Sequence, residues 1–228
     1  RNDEMNFLNK LEKKYRKYAI PNLMYYIVML YGAGLVIQLF APMAYWRFLS
    51  LDIGALMHGQ IWRLVTFIIY PPTMGTFVFD SVFFGIISLF LYYSLGVTLE
   101  RVWGAFRFNV FFLMGMVGEI LAALVSYFVF HQNLYVTTGF LNFSLFLAFA
   151  ICFPDVQFYL FMVIPVKAKW MAIAESAVYV YSFLVGSAST RCEIVLSLAN
   201  VILFFLMTRN YSRINPKEIH RKKQFKQQ

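Results

Sequence analysis

The chain has 228 residues, of which 61% are hydrophobic and only 14% are charged. A soluble domain of this length cannot bury so large an apolar fraction behind so few charges, so soluble, disordered and fibrous classes are excluded. Lys and Arg outnumber Asp and Glu by 20 to 11, a formal net charge of +9, which indicates an integral membrane protein with basic ends.

The first predicted element is an amphipathic segment over residues 1–20. Its apolar side chains recur at helical spacing on the face opposite its lysines. This pattern is typical of a helix that lies on a membrane surface and differs from a cleavable signal peptide. We expect this segment to lie on the inner leaflet.

Six apolar windows follow, at residues 22–41, 78–98, 106–130, 137–153, 169–186 and 194–208. About 20 apolar residues cross a bilayer as a helix, and none of the seven prolines falls inside a window. The predicted fold is therefore an all-α polytopic membrane protein, a bundle of six transmembrane helices over residues 21–208. The fourth and sixth windows would give helices of about 25 and 22 Å, short of a hydrocarbon core of about 30 Å, which predicts local bilayer thinning.

The connection between the first two spans, residues 42–77, is too long for a passive link in a compact bundle. It is rich in Trp, Arg, Phe and Tyr, whose side chains combine apolar and polar parts and suit the outer headgroup zone. We expect a long structured loop there, with one or two short helices packed beside the bundle.

The distribution of basic residues predicts the orientation. With six crossings, 17 of the 20 Lys and Arg lie on the side of both termini, including the basic tail at residues 209–228. Short loops rich in Lys and Arg stay in the cytoplasm. We therefore expect a multi-pass protein with both termini cytoplasmic, in a bacterial cell membrane or, in a eukaryote, in the endoplasmic reticulum. The expected partners are the lipid bilayer and, at the basic termini, anionic headgroups; no nucleic acid is expected.

Four motifs occur in register with these spans. The long loop contains a W-R-x-x-T pattern, formed by Trp62, Arg63 and Thr66. The second span ends in a pattern of Gly and Glu, formed by Gly96, Glu100 and Gly104, and Pro154 follows the fourth span. A Pro-x-Lys-x-x-Trp sequence at the fifth span contains Pro165, Lys167 and Trp170. In this order the chain resembles the rhomboid superfamily over about residues 20 to 208. The resemblance implies a rhomboid-like bundle in which these residues are structural.

An active rhomboid carries a nucleophilic serine in G-x-S-G at the start of its fourth helix and a histidine base in its sixth. Here Gly139 stands at the nucleophile position, and none of the three histidines lies in the sixth span. Phe84 and Ser88 replace the second-helix His and Asn that help to bind the oxyanion. The resemblance thus implies an inactive, Derlin-like pseudoprotease, not an enzyme, that binds transmembrane client proteins and perturbs the bilayer in membrane-protein quality control or trafficking.

Two alternatives remain open: an active rhomboid-family intramembrane serine protease with a non-standard site, and a small-solute transporter. Cys152 and Cys192 lack the spacing of metal ligands, and His58 has no second ligand near it in the sequence, so no metal or cofactor is predicted.

Two carboxyl groups fall inside predicted spans, Glu119 and Glu175. An ionisable side chain in a span usually faces a partner or a wet cavity. With Ser88 they are the candidate intramembrane polar residues. They either line a polar groove or proton path, or form hydrogen bonds between helices, and the sequence leaves both interpretations open.

Overall fold

The computed structural model describes residues 7–70, 78–133, 136–160 and 164–208. The predicted basic tail at 209–228, residues 1–6 and the end of the long loop at 71–77 lie outside the described residues.

The described chain contains ten α-helices and one two-stranded sheet. In chain order these are α1 (Phe7–Tyr15), α2 (Leu23–Phe40), α3 (Pro42–Ala44), α4 (Ile53–Met57), α5 (Arg63–Thr66), α6 (Val78–Trp103), α7 (Ala105–Phe130), α8 (Gly139–Cys152), β1 (Gln157–Leu160), β2 (Ile164–Lys167), α9 (Ala168–Val185) and α10 (Ala188–Thr208). Each predicted apolar window overlaps one helix of 14 to 26 residues. Four of these helices, α2, α6, α7 and α10, are long and apolar enough to cross a membrane, as expected of an integral membrane protein.

The prediction of a short sixth helix is wrong. α10 begins at Ala188 and has 21 residues, a length of about 31 Å. The apolar window starts only at Ile194 because Arg191 and Glu193 interrupt it, but neither residue interrupts the helix. Arg191 donates hydrogen bonds to the carbonyl oxygens of Phe183 and Leu184 at the end of α9, and Glu193 is buried in the bundle.

The centre of the bundle is α8, a helix of 14 residues of which ten are buried. It packs against α6, α7, α9 and α10. Around it, α6 contacts α7, α7 contacts α10 most extensively of all helix pairs, and α10 contacts α9. α2 lies outside this ring, against α6. The described parts of α6 and α9 make hardly any direct contact, so the ring is open between these two helices.

The N-terminal helix α1 packs against the bundle, so a lipid surface is not its only contact. Leu8 is buried, and the guanidinium of Arg107, itself buried, forms a salt bridge of 2.9 Å with Glu12. The end of the bundle where α1 and Gly104 lie is called the terminal end below. The opposite end, where residues 42–70 and His131 lie, is called the loop end.

A β-hairpin interrupts the predicted all-α fold between α8 and α9. β1 and β2 pair antiparallel, with Phe158 opposite Val166 and Tyr159 opposite Pro165. A proline is tolerated here because the sheet has only two strands, so each strand has a free edge. At the base of the hairpin, hydrogen bonds from Lys167 and then Lys169, each 3.3 Å long, lower the pKa of Asp155.

Candidate functional site

The N-terminal end of α8 is tied to α2 and to the long loop by a chain of buried hydrogen bonds. The Tyr31 hydroxyl donates to Asn142 Oδ1 at 3.1 Å, and Asn142 Nδ2 donates to Thr138 Oγ1 at 3.1 Å. The Thr138 hydroxyl in turn donates to the backbone oxygen of Tyr70 at 2.8 Å. These polar side chains are satisfied by one another, so they fix the start of α8 in the bundle.

Two buried carboxyl groups lie on the other side of this helix end. Glu119 of α7 receives a backbone hydrogen bond from Leu141 and is in electrostatic contact with Glu193 of α10. Leu141 belongs to the first turn of α8, whose N–H groups have no partner within the helix and favour a negative charge. Ser197 of α10 donates to the Phe140 oxygen at 2.9 Å. α7 and α10 therefore both hold the first turn of α8.

The polar face of α10 was missed in the sequence analysis. Ser189, Glu193, Ser197 and Asn200 are all buried and recur at intervals of four, four and three residues, the spacing of one helix face. This spacing was visible in the sequence. The predicted window at residues 194–208 contains only Ser197 and Asn200 of these four residues, so the face is incomplete within it.

The predicted nucleophile position, Gly139, is the first residue of α8 and is exposed. The hydroxyls near it are engaged with the backbone: Thr138 donates to Tyr70, Ser144 donates to the Leu141 oxygen at 2.7 Å, and Thr137 Oγ1 lies 3.4 Å from the Gly139 nitrogen. A serine hydroxyl needs a neighbouring base to become a nucleophile.

The histidines lie away from α8 and α10 in the chain. His58 follows α4 in the loop, where its Nδ1 lies 2.7 Å from the Gly54 oxygen, and His131 follows α7. His220 lies outside the described residues. α10 contains no histidine.

The W-R-x-x-T residues hold the long loop together. Arg63 is 3% exposed, and its guanidinium donates to the oxygens of Ser50 at 2.7 Å, of Arg47, and of the Gln60 side chain at 2.7 Å. Trp62 Nε1 donates to the Phe48 oxygen and Thr66 Oγ1 to the Leu49 oxygen, at 3.1 and 2.9 Å. The motif thus satisfies four consecutive carbonyl groups of residues 47–50.

The motif at the end of α6 brings the terminal end of the bundle together. Gly96 allows α6 to approach α2 closely, since a Cβ at this position would lie 2.2 Å from Met24 Cγ. Glu100 accepts a hydrogen bond of 2.6 Å from the Asn22 nitrogen. Gly104 has a φ of +87°, a conformation that a side chain disfavours, and joins α6 to α7.

The remaining motif residues surround the β-hairpin. The Pro154 oxygen accepts from the Lys169 nitrogen at 3.2 Å, Pro165 lies in β2, and Lys167 contacts Asp155. Trp170 lies in the first turn of α9 and is 59% exposed. These residues shape the connection between α8 and α9. None of the contacts described above joins them to Glu119 or Glu193.

The opening between α6 and α9 has polar side chains on both sides. Ser88 and Tyr92 lie one turn apart on α6, and Glu175 and Tyr179 lie one turn apart on α9. Glu175 lies close enough to both tyrosines to interact with them electrostatically. The Tyr179 ring packs against Phe143 of α8, with centroids 4.0 Å apart, so α9 is held against the central helix at this point.

No protein-family model, curated protein or solved structure matches the chain. The rhomboid resemblance therefore rests on the sequence motifs. Within the described ranges, no three His, Cys, Asp or Glu side chains converge as a group that could hold a metal ion.

Replacing Glu119 by Gln should leave the stability of the protein nearly unchanged, whereas replacing it by Leu should lower it. Gln keeps an oxygen that accepts the hydrogen bond from Leu141, and it removes the ionisable carboxyl group that faces Glu193. Leu leaves that N–H without an acceptor, at a cost of about 1–3 kcal/mol. Thermal unfolding in detergent measures both variants, with Leu121→Ala on the exposed face of α7 as a control. Equal stability of the Gln and Leu variants would show that the hydrogen bond contributes nothing.

Proposed function

We propose that this chain is a six-span, rhomboid-like membrane protein without proteolytic activity, which binds transmembrane clients and perturbs the bilayer beside it. The six spans are α2, α6, α7, α8, α9 and α10. In this proposal both termini lie in the cytoplasm, because this orientation places 17 of the 20 Lys and Arg there. The cellular role would be membrane-protein quality control or trafficking.

The opening between α6 and α9 is the observation that carries the proposal. It is the one place around α8 where two neighbouring helices of the described ring make hardly any contact. Ser88 of α6 and Glu175 of α9 are half-buried polar side chains that can form hydrogen bonds with a client helix. Polar side chains between helices in a bilayer favour association, and an intramembrane carboxyl such as Glu175 indicates a functional surface.

The absence of proteolysis is proposed from the chemistry of the α8 terminus. Gly139 offers no hydroxyl, and the Thr138 and Ser144 hydroxyls donate to backbone oxygens. No histidine in α10 is available to remove a proton. Glu119 and Glu193 lie at this helix end, but each is a poor substitute for an imidazole paired with serine, because the nearby hydroxyls already have partners.

Bilayer perturbation is supported by the long loop and by two helices of the bundle. Six apolar side chains in the described part of the loop are at least half exposed and would insert into the outer leaflet: Met43, Phe48, Met57, Ile61, Trp62 and Val65. α2 and α9 have 18 residues each, about 27 Å against a hydrocarbon core of about 30 Å. α8 is shorter still but is buried in protein, so its length acts little on lipid.

A photo-crosslinking residue at position 88 tests client binding. In vesicles that contain a single-span reporter protein, we expect adducts from position 88, which faces the opening. Position 90 is the matched control, because Phe90 lies on the opposite side of α6 and is 77% exposed. Equal adduct yields from the two positions would contradict a client site between α6 and α9.

The same adducts test for proteolysis. The crosslinked reporter should keep its full length, and a fluorophosphonate probe should label none of the serines. A cleaved reporter or a labelled serine would show an active protease and would overturn the inactive assignment, whatever the crosslinking yields.

A further inference from the structure

A second surface lies on the far side of the bundle, between α7 and α10. It is a groove of about 430 Å³ whose walls are aliphatic and lipid-facing, among them Leu113, Val117, Leu121 and Leu203. Gly118 and Asn200 lie between these walls. Because the ring runs in the order α6, α7, α10 and α9, this groove is separate from the opening between α6 and α9.

Asn200 is a buried polar side chain among the residues that line this groove. It is 4% exposed, and both its amide nitrogen and its amide oxygen are buried with no hydrogen-bond partner among the described residues. Its neighbour on α7 is Gly115, where a Cβ would lie 3.0 Å from the amide nitrogen. A buried amide without a partner is costly in protein and more so in lipid, where no water can replace it. A ligand with both a hydrogen-bond donor and an acceptor would satisfy the two amide atoms.

The depth of Asn200 indicates what kind of ligand this is. Along α10, Asn200 lies about 18 Å from the start of the helix at Ala188 and about 12 Å from its end at Thr208. A lipid that fills the groove presents only hydrocarbon near the middle of the bilayer, since its headgroup lies about 15 Å away. A transmembrane helix can present a polar side chain at that depth.

We propose that the groove between α7 and α10 binds a transmembrane helix of another protein, which places an Asn, Gln, Ser or Thr side chain against Asn200 near the middle of the bilayer. Gly118 leaves room for it, because a Cβ there would meet only the Leu196 oxygen, at 3.6 Å. Close approach over small residues and hydrogen bonds between side chains are the two interactions that hold helices together in lipid.

A second copy of this chain does not fit the groove as well as a separate helix does. In a symmetric pair the same surface faces itself. Asn200 is recessed below the exposed Val117 and Leu203 side chains, so two copies would keep their amides apart. The occupant is therefore a helix whose polar side chain protrudes.

Energy transfer between the labelled full-length protein and a synthetic helix tests this proposal. The probe is a Lys-flanked, Leu- and Ala-rich span with one Asn at its centre, in phosphatidylcholine vesicles; the reference probe has Leu there. We expect the Asn probe to bind about three to tenfold more tightly, the gain from an interhelical hydrogen bond in a bilayer. Asn200→Leu should abolish this difference in affinity, and Gly118→Leu should weaken the binding of both probes.

Gly32→Leu is the matched control for Gly118→Leu, since a Cβ at Gly32 meets nothing within 4 Å. It should leave the binding of both probes unchanged. Equal binding of the two probes to the unsubstituted protein, or an Asn preference that survives Asn200→Leu, would overturn the proposal. Energy transfer between two copies of the chain that requires Asn200 would overturn the choice of partner. Each result is independent of crosslinking at position 88, so this groove and the opening between α6 and α9 can fail separately.

Discussion

Replacing Arg63 by Met should unfold the long loop while α6 to α10 remain assembled. The substitution removes the hydrogen bonds to the Ser50 and Arg47 oxygens and to Gln60. Each buried acceptor left without a donor costs about 1–3 kcal/mol, so we expect a loss of about 3 kcal/mol or more. Limited proteolysis should cut the loop near residues 47–50, and the thermal midpoint should fall.

Arg47→Gln is the matched control for this prediction. Arg47 lies in the same loop and has the same charge, but its side chain is exposed, and the bond to Arg63 uses its backbone oxygen. This variant should therefore resist proteolysis like the unsubstituted protein. Arg63→Lys keeps the charge but not the planar arrangement of donors, so its resistance to proteolysis should lie between those of Arg63→Met and Arg47→Gln. A loop that stays resistant after Arg63→Met would show that the guanidinium does not hold it.

Replacing Gly96 by Val should separate α2 from α6. A Cβ at this position would lie 2.2 Å from Cγ and 2.7 Å from Cβ of Met24, and the latter cannot move without the helix backbone. Overpacking of this kind costs about 1–3 kcal/mol, and here it also displaces the Asn22 nitrogen from Glu100. We expect a lower thermal midpoint and a longer distance between spin labels placed on α2 and α6.

Met24→Ala should restore much of the stability lost by Gly96→Val, because it removes the atoms with which valine collides. Gly32→Ala provides the comparison, since it introduces a Cβ on α2 where nothing lies within 4 Å. We expect that variant to be stabilised by about 0.5–1 kcal/mol, as for glycine in a helix interior. If the double variant were no more stable than Gly96→Val, the close approach of α2 and α6 would not be the cause.

The positions of the long helices could be predicted from the sequence because apolar windows and proline placement act locally. Pro42 and Pro154, for example, each lie two residues beyond the end of a helix, α2 and α8 respectively. Which helices pack against each other could not be predicted in this way. Gly96 was recognised as part of a motif, but only its contact with Met24 shows that the motif joins α2 to α6.

The parts that were predicted wrongly or missed depend on contacts distant in sequence. The apolar window began only after Glu193, yet Glu193 lies within α10 and is buried. The β-hairpin around Pro165 carries too short an apolar run to be distinguished from a loop. Asn200 was missed in the sequence analysis, and only the structure shows that its amide lies beside Gly115 with no hydrogen-bond partner among the described residues.

The central position of α8 has a consequence for the order of assembly. A helix of 14 residues is about 21 Å long, too short to span a hydrocarbon core of about 30 Å by itself. Its first turn is held by Glu119, which is synthesised earlier, and by Ser197, which is synthesised later. We therefore expect α8 to take its final depth only after α10 has entered the membrane, so a chain truncated before α10 should leave α8 accessible to water-soluble reagents.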